Sequence, residues 1–145
     1  MKHSFLILFC LFVLNSGIKA GNYKMIAFEQ LPETSRKFIK DHFSDLKISY
    51  TAKELDFLEL SYKVIFADGN KLEFSRSGQW KEIDFKFSAI PPSAVPQAIL
   101  DFVSLNHSQQ NILEIDRERW KTEVKLSNEM ELNFDNDYNF IGLDD

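Results

Sequence analysis

Tyr62–Asp84, YKVIFADGNKLEFSRSGQWKEID, holds two hairpin turns in succession, and it recurs. Thr122–Asp144, TEVKLSNEMELNFDNDYNFIGLD, matches it at an offset of 60. Val64 falls on Val124, Phe66 on Leu126, Leu72 on Leu132, Phe74 on Phe134, Trp80 on Phe140 and Asp84 on Asp144. Upstream the match continues at an offset of 64. Leu31-Pro32 lies over Val95-Pro96, Phe38-Ile39 over Phe102-Val103, and Ile48 over Ile112. The first copy is four residues longer between its helix and its hairpins. A repeat of this period reads as two supersecondary units, each completed by its neighbour.

The turns set the register. Asp68-Gly69 resembles a two-residue hairpin turn. That pairing would oppose Val64 to Glu73 and mix core with solvent on one face. A three-residue loop, Ala67-Asp68-Gly69, instead pairs Phe66 with Asn70, Val64 with Leu72 and Tyr62 with Phe74. Gly69 then takes the left-handed position. The same loop length in the second copy pairs Val124 with Leu132 and Thr122 with Phe134, with Glu129 in place of the glycine. At the next turn Phe74 pairs with Trp80, and Phe134 with Phe140. Trp80 and Phe140 are therefore expected on the helix-facing, core side.

Upstream of each hairpin pair is a helix. Leu31-Pro32-Glu33 marks the first start, since proline suits a helix N-terminus and Glu33 favours its positive end. Phe38, Ile39, His42 and Phe43 share one face. Ile99, Phe102 and Val103, with Leu105 at the margin, form the second stripe, and Pro91-Pro92 joins the copies. Leu46–Ala52 and Asn111–Asp116 read as the first strand of each copy. Leu58–Phe66 and Trp120–Leu126 alternate as half-buried strands. Gly21–Gln30 carries no clear signal. The expected class is α+β: two tandem helix-plus-four-strand repeats, spanning about residues 28–87 and 90–145 of one domain.

The first twenty residues stand apart. Lys2 and His3 precede an unbroken apolar run, Phe5–Leu14, then Asn15-Ser16-Gly17 and a small residue at Ala20. That order is a secretory leader, too short to span a bilayer, with cleavage expected near Ala20. Cys10 lies mid-run without the small residues that a lipoprotein site needs. Its loss with the leader leaves an exported domain with no disulfide, dependent on its core. The formal charge is −5 overall and −7 once Lys2 and Lys19 are removed. An acid balance argues against nucleic acid and anionic membranes, and no later stretch is long and apolar enough to span a bilayer.

Catalytic chemistry is sparse. The mature chain has no cysteine, and His42 and His107 sit near helix ends, where capping is their ordinary role. A hydrolytic triad or zinc site has too few partners. Asp135-Asn136-Asp137-Tyr138-Asn139 spaces oxygens like the start of a calcium loop, but Phe140 holds the place of the obligatory glycine. The chain also ends before the closing glutamate. A turn is the simpler reading. The residues call for no catalytic centre, metal or cofactor.

On the face away from the helices, the pairing aligns Lys63, Glu73 and Lys81 in one row and Ile65, Lys71 and Ile83 in the next. In the second copy the rows are Glu123, Asn133, Ile141 and Lys125, Glu131, Leu143. Ile65, Ile83, Ile141 and Leu143 are expected to form the apolar centre of a protein-binding face. Lys63, Glu73, Lys81, Lys125 and Glu131 form its charged rim.

Leu31-Pro32, Tyr62-Lys63-Val64, Leu72-Glu73-Phe74 and Gly78-Gln79-Trp80-Lys81-Glu82-Ile83-Asp84 together resemble the β-lactamase-inhibitor-like, PepSY-like family of exported bacterial proteins. The resemblance runs over Leu31–Asp144. The second copy departs at Glu129, at Tyr138 (for Gly78) and over Phe140–Asp144. The resemblance implies one curved, eight-stranded sheet with helices on one side. It also implies a non-enzymatic binding role, by analogy to secreted inhibitors. With the leader, the leading expectation is a periplasmic or secreted binding module that inhibits an exported hydrolase; the alternative, of another class, is a structural or envelope-associated component without inhibitory activity. A fold alone does not decide between these.

Overall fold

The computed structural model describes residues 22–144. The leader and its cleavage near Ala20 lie outside them. The described residues form an antiparallel meander of nine strands in sequence order, β1-β2-β3-β4-β5-β6-β7-β8-β9, with two α-helices. The strands are Asn22–Ile26 (β1), Ile48–Asp56 (β2), Glu59–Phe66 (β3), Lys71–Ser75 (β4), Trp80–Asp84 (β5), Ile112–Arg117 (β6), Thr122–Leu126 (β7), Glu131–Phe134 (β8) and Phe140–Asp144 (β9). The helices are Glu33–His42 (α1) and Gln97–Asn106 (α2). The sheet is open, ending at β1 and β9. It holds one strand more than expected: β1 pairs along β2, Met25 opposite Ala52 and Ile26 opposite Thr51.

The helix caps follow from the prolines. Pro32 and Pro96 are the N-caps of α1 and α2, and their carbonyls accept the first helical bonds from Arg36 and Leu100 at 3.0 and 3.1 Å. Ile39 and Phe43 from α1, and Ile99 and Val103 from α2, meet one face of the sheet. There they form a single core with Val64, Leu72, Phe74, Ile83, Ile115, Val124, Leu132 and Phe134. Leu105 stays exposed. Burying this apolar face is the main stabilising term, since no disulfide can contribute among the described residues.

The ring contacts of the two halves correspond. Phe38 meets Phe74 edge-on at 6.1 Å and stacks on Trp80 at 6.2 Å. Phe102 meets Phe134 edge-on at 5.4 Å and stacks on Phe140 at 4.4 Å. Trp80 and Phe140 thus face the helices, but neither is fully enclosed: Trp80 is half-buried and Phe140 is 40% exposed. Across the junction the Arg117 guanidinium lies 3.8 Å from the Trp80 ring centroid. Its Nη1 donates to the Trp80 carbonyl at 3.3 Å and its Nε to the Tyr138 hydroxyl at 3.0 Å. Tyr138, which departs from Gly78 in sequence, therefore has a partner of its own. Trp80→Ala is expected to cost about 2–3 kcal/mol, because Phe38 and Arg117 both lose their stacking surface. Chemical denaturation measures it.

Both three-residue loops take the expected register. Val64 pairs with Leu72, Tyr62 with Phe74, Val124 with Leu132 and Thr122 with Phe134. The next hairpins differ from expectation one step beyond the turn. Phe74 does oppose Trp80, and Phe134 does oppose Phe140. A bulge then shifts the pairing, so that Glu73 opposes Glu82 and Leu72 opposes Ile83, while Asn133 opposes Gly142 and Leu132 opposes Leu143. Lys81 and Ile141 are the extra residues. An extra residue exchanges the two faces of everything after it.

The chain β2–β3 hairpin also turns differently. Phe57 and Leu58 form the turn itself, at φ +44° and +72°, and β3 begins at Glu59. Trp120 lies in the loop before β7 and is 72% exposed.

Candidate functional site

The helices cover one face of the sheet and leave the other open. Because side chains alternate, the open face carries the residues between the core positions. One row crosses the sheet as Met25, Ala52, Lys63, Glu73, Glu82, Asp116, Glu123, Asn133 and Gly142. The next runs Tyr50, Ile65, Lys71, Asp84, Glu114, Lys125, Glu131 and Asp144.

The bulges rearrange the expected binding face. Ile83 is fully buried in the core beside Leu72 and Ile115, so it does not belong to the open face. Leu143 shares the side of Leu132, toward the helices, and its 53% exposure comes from its place on the edge strand. Ile141, in the bulge, is exposed at the same edge. Ile65 alone of the four aliphatics stands in the open-face rows. Tyr23, Met25 and Tyr50, from β1 and β2, join it at that end of the face.

Of the expected rim, Lys63, Glu73 and Lys81 lie toward that end, and Lys125 and Glu131 lie on β7 and β8. The Lys63 ammonium lies 2.8 Å from Glu54, 3.8 Å from Glu73 and 2.8 Å from the Tyr23 hydroxyl. Lys81 reaches Glu59 at 2.9 Å and Glu73 at 3.9 Å, and Lys71 reaches Glu82 at 2.8 Å and Asp84 at 3.8 Å. Lys125 bonds Glu129 at 2.9 Å and sits opposite Glu131. Burial raises the Glu54 carboxyl, but its bonds to Lys63 and Tyr23 more than offset this and hold it below its ordinary value.

The middle of the face is different. Glu73, Glu82, Asp116 and Glu123 oppose one another directly across β4, β5, β6 and β7, with Asp84 and Glu114 opposed in the next row. Like charges directly opposite destabilise a sheet. Among the described residues, no cation forms an ion pair with Glu114 or Asp116. Both are held above the ordinary carboxylate range. Burial is the largest cause at Glu114, followed by Asp84 and Glu82; at Asp116 it is burial, then Glu82 and Glu118. Shallow depressions of about 240 Å³ (bounded by Glu54, Asp56, Glu59, Glu73 and Lys81) and about 50 Å³ (by Glu114, Asp116, Glu123 and Glu131) mark this face.

Other candidates resolve into structure. His42 Nδ1 lies 3.0 Å from Ser93 Oγ, linking α1 to the turn before α2, while the neighbouring Asp41 is engaged by Lys37. His107 is the C-cap of α2. Asp135 closes its own turn, accepting from the backbone of Asp137 at 2.9 Å and Asn139 at 2.8 Å, and from Asn139 Nδ2 at 3.1 Å. Among the described residues, no helix is long and apolar enough to cross a membrane.

A helix-backed open sheet of this kind has known relatives. The family model described as "Putative beta-lactamase-inhibitor-like, PepSY-like" matches residues 60–142, and the chain belongs to that family. Two solved structures are 43% identical to it. One is a "putative periplasmic protein" of the DUF2874 family from Bacteroides vulgatus, covering 87% of this chain and 99% of its own at a TM-score of 0.82. The other is a "putative calcium-regulated periplasmic protein" from Bacteroides thetaiotaomicron, covering 85% and 97% at 0.81. A third, a "putative periplasmic protein of unknown function" from Bacteroides vulgatus, is 36% identical and covers 85% and 99% at 0.78. No curated protein matches the sequence. None of these descriptions names a catalytic activity.

Proposed function

We propose that the protein is an exported, non-catalytic binding module that takes a protein partner on the open face of its sheet. The observation that carries this is the run of opposed carboxylates Glu73, Glu82, Asp116 and Glu123. Glu73, Glu82 and Glu123 are each engaged by a lysine, but Asp116, set between Glu82 and Glu123, has no cation of its own and leaves the row in excess negative charge, whose use is contact with something cationic. Beside it, Tyr23, Met25, Tyr50 and Ile65 offer aromatic and aliphatic surface. The complementary partner presents lysines or arginines around an apolar centre. The rim keeps Lys63, Glu73, Lys81, Lys125 and Glu131, and the corrected apolar part lies at the β1–β3 end. The leader at residues 1–20 and the periplasmic descriptions of the relatives support export. Inhibition of an exported hydrolase is the narrower form of this reading, and an envelope-associated structural role is its alternative. The matching ring contacts of the two halves support tandem repeats within one domain.

The test is affinity capture from envelope extract with the mature protein and a Glu82→Lys, Asp116→Lys variant. The expected result is a captured protein that the variant loses while its melting temperature is kept. Equal capture by both would remove the open face from the interaction. Assays of the captured partner's activity then separate inhibitor from scaffold.

A further inference from the structure

Toward β9 the open face changes character. Glu123, Glu131 and Asp144, on β7, β8 and β9, bring one carboxylate oxygen each to within 4.8 Å of one another. Three oxygens about 4.5 Å apart can all lie about 2.6 Å from a common centre, the contact distance of calcium, and a small side-chain rotation brings this set to that spread. Acidic side chains on a surface do not by themselves make a site. Here a second feature stands among them. Asn133 opposes Glu123 across β7–β8, is only 7% exposed, and its side chain hydrogen-bonds the Asp144 carboxylate. Its Oδ1 is buried and has no hydrogen-bond donor. Buried amide oxygens are almost always partnered, and calcium accepts carbonyl oxygens of this kind.

We propose that Glu123, Glu131, Asp144 and Asn133 bind a divalent cation, calcium by the chemistry of the donors, which fastens the edge strand β9 to β7 and β8. Oxygen-only donors disfavour zinc, and a site assembled from three strands lacks the rigid octahedron that magnesium demands. Lys121 holds the place of the ion in the ion-free protein, its ammonium 3.0 Å from Glu123 and 3.2 Å from Asp144. It satisfies neither Glu131 nor Asn133 Oδ1. Lys125, opposite Glu131, is drawn to Glu129 at 2.9 Å. Three carboxylates against the one ammonium that bonds them leave the excess charge of a divalent ion. The ion therefore displaces Lys121 to solvent. The other ligand positions belong to water, as the exposure of Asp144 allows.

The experiment is calorimetric titration of the chelator-treated full chain with calcium chloride and, separately, magnesium chloride. Melting curves in chelator confirm that each variant is folded. Saturable one-site calcium binding is expected, with magnesium weaker. Glu131→Gln should weaken it by about tenfold or more. Asn133→Asp, which keeps the size and adds a charge, should tighten it, as should Lys121→Ala by removing the competing ammonium. Absence of saturable calcium binding with a Kd below about 1 mM, the weak end for extracellular sites, would overturn the proposal. So would unchanged affinity in Glu131→Gln, weaker binding in Lys121→Ala, or magnesium binding as tightly as calcium.

Discussion

Ile83→Glu is expected to abolish cooperative folding at neutral pH, whereas Ile65→Glu should leave the protein folded. Both isoleucines lie in the first copy, and the three-residue loops continued without a bulge would place both on the open face. The bulge at Lys81 separates them. Ile83 is fully buried, opposed by Leu72 and Ile115 within the core, where an ionised carboxylate has no partner. Losing the apolar side chain and burying an acid together should cost more than about 4 kcal/mol. The buried carboxyl would have a folded pKa above its unfolded value. Its cost is therefore greatest above that folded pKa and lessens as the pH falls toward the unfolded one. At Ile65 the new carboxylate would face Lys71 on the half-buried open side, and a change within about 1 kcal/mol is expected. Circular-dichroism melts of the two single variants read the difference. Equal tolerance of both would restore the unbulged register.

Gly78→Val should be nearly as damaging, at about 3 kcal/mol or more. Gly78 takes φ +85° in the turn between β4 and β5, a conformation that β-branched residues strongly resist. A Cβ there would stand 2.7 Å from Pro32 Cβ and 3.0 Å from Ser35 Oγ. Ser35 Oγ also donates to the Gly78 carbonyl at 3.0 Å, so the clash would push away the first turn of α1. Gly69 is the control. Its φ is +87°, but a Cβ there meets nothing within 4 Å, and Glu129 occupies the equivalent turn at φ +67°. Gly69→Val, with the same backbone penalty but no contact, should cost distinctly less, about 2 kcal/mol. Urea unfolding of the pair separates close packing from backbone preference; equal losses would contradict the contact with α1.

These two sites show what the sequence made legible. The hairpin loops, their registers and the helix stripes follow from local turn chemistry and from apolar alternation. The bulges do not, because they add a residue without any turn signal. One trace of them was present: Trp80 and Ile83 are three residues apart, an odd number, yet both are apolar, and Phe140 and Leu143 repeat the pattern. An odd spacing between two core residues in one strand requires an extra residue between them. Strand β1 carries only a short signal: Tyr23 and Met25 alternate with Asn22 and Lys24, and Ile26 directly after Met25 breaks the period. The run of opposed acids was equally hidden. Glu73, Glu82, Asp116 and Glu123 are scattered in sequence, and only the shifted register with the β5–β6 junction aligns them. The Glu123, Glu131, Asp144 and Asn133 cluster was invisible for the same reason: it is assembled across three strands rather than within one loop.

The acidic row is a surface kept for binding at the expense of stability, and the melting temperature of Asp116→Asn tests this most directly. Asp116 has a folded pKa above its unfolded value, chiefly through burial and then Glu82. Its cost to the fold is therefore fully present above the folded pKa and vanishes as the pH falls to the unfolded value near 4. At pH 7 the variant should melt at the wild-type temperature or roughly 1–4 °C above it, with the difference closing as the pH approaches about 4. A fall of more than about 3 °C at pH 7 would make the Asp116 carboxylate a stabilising part of the sheet and contradict the account.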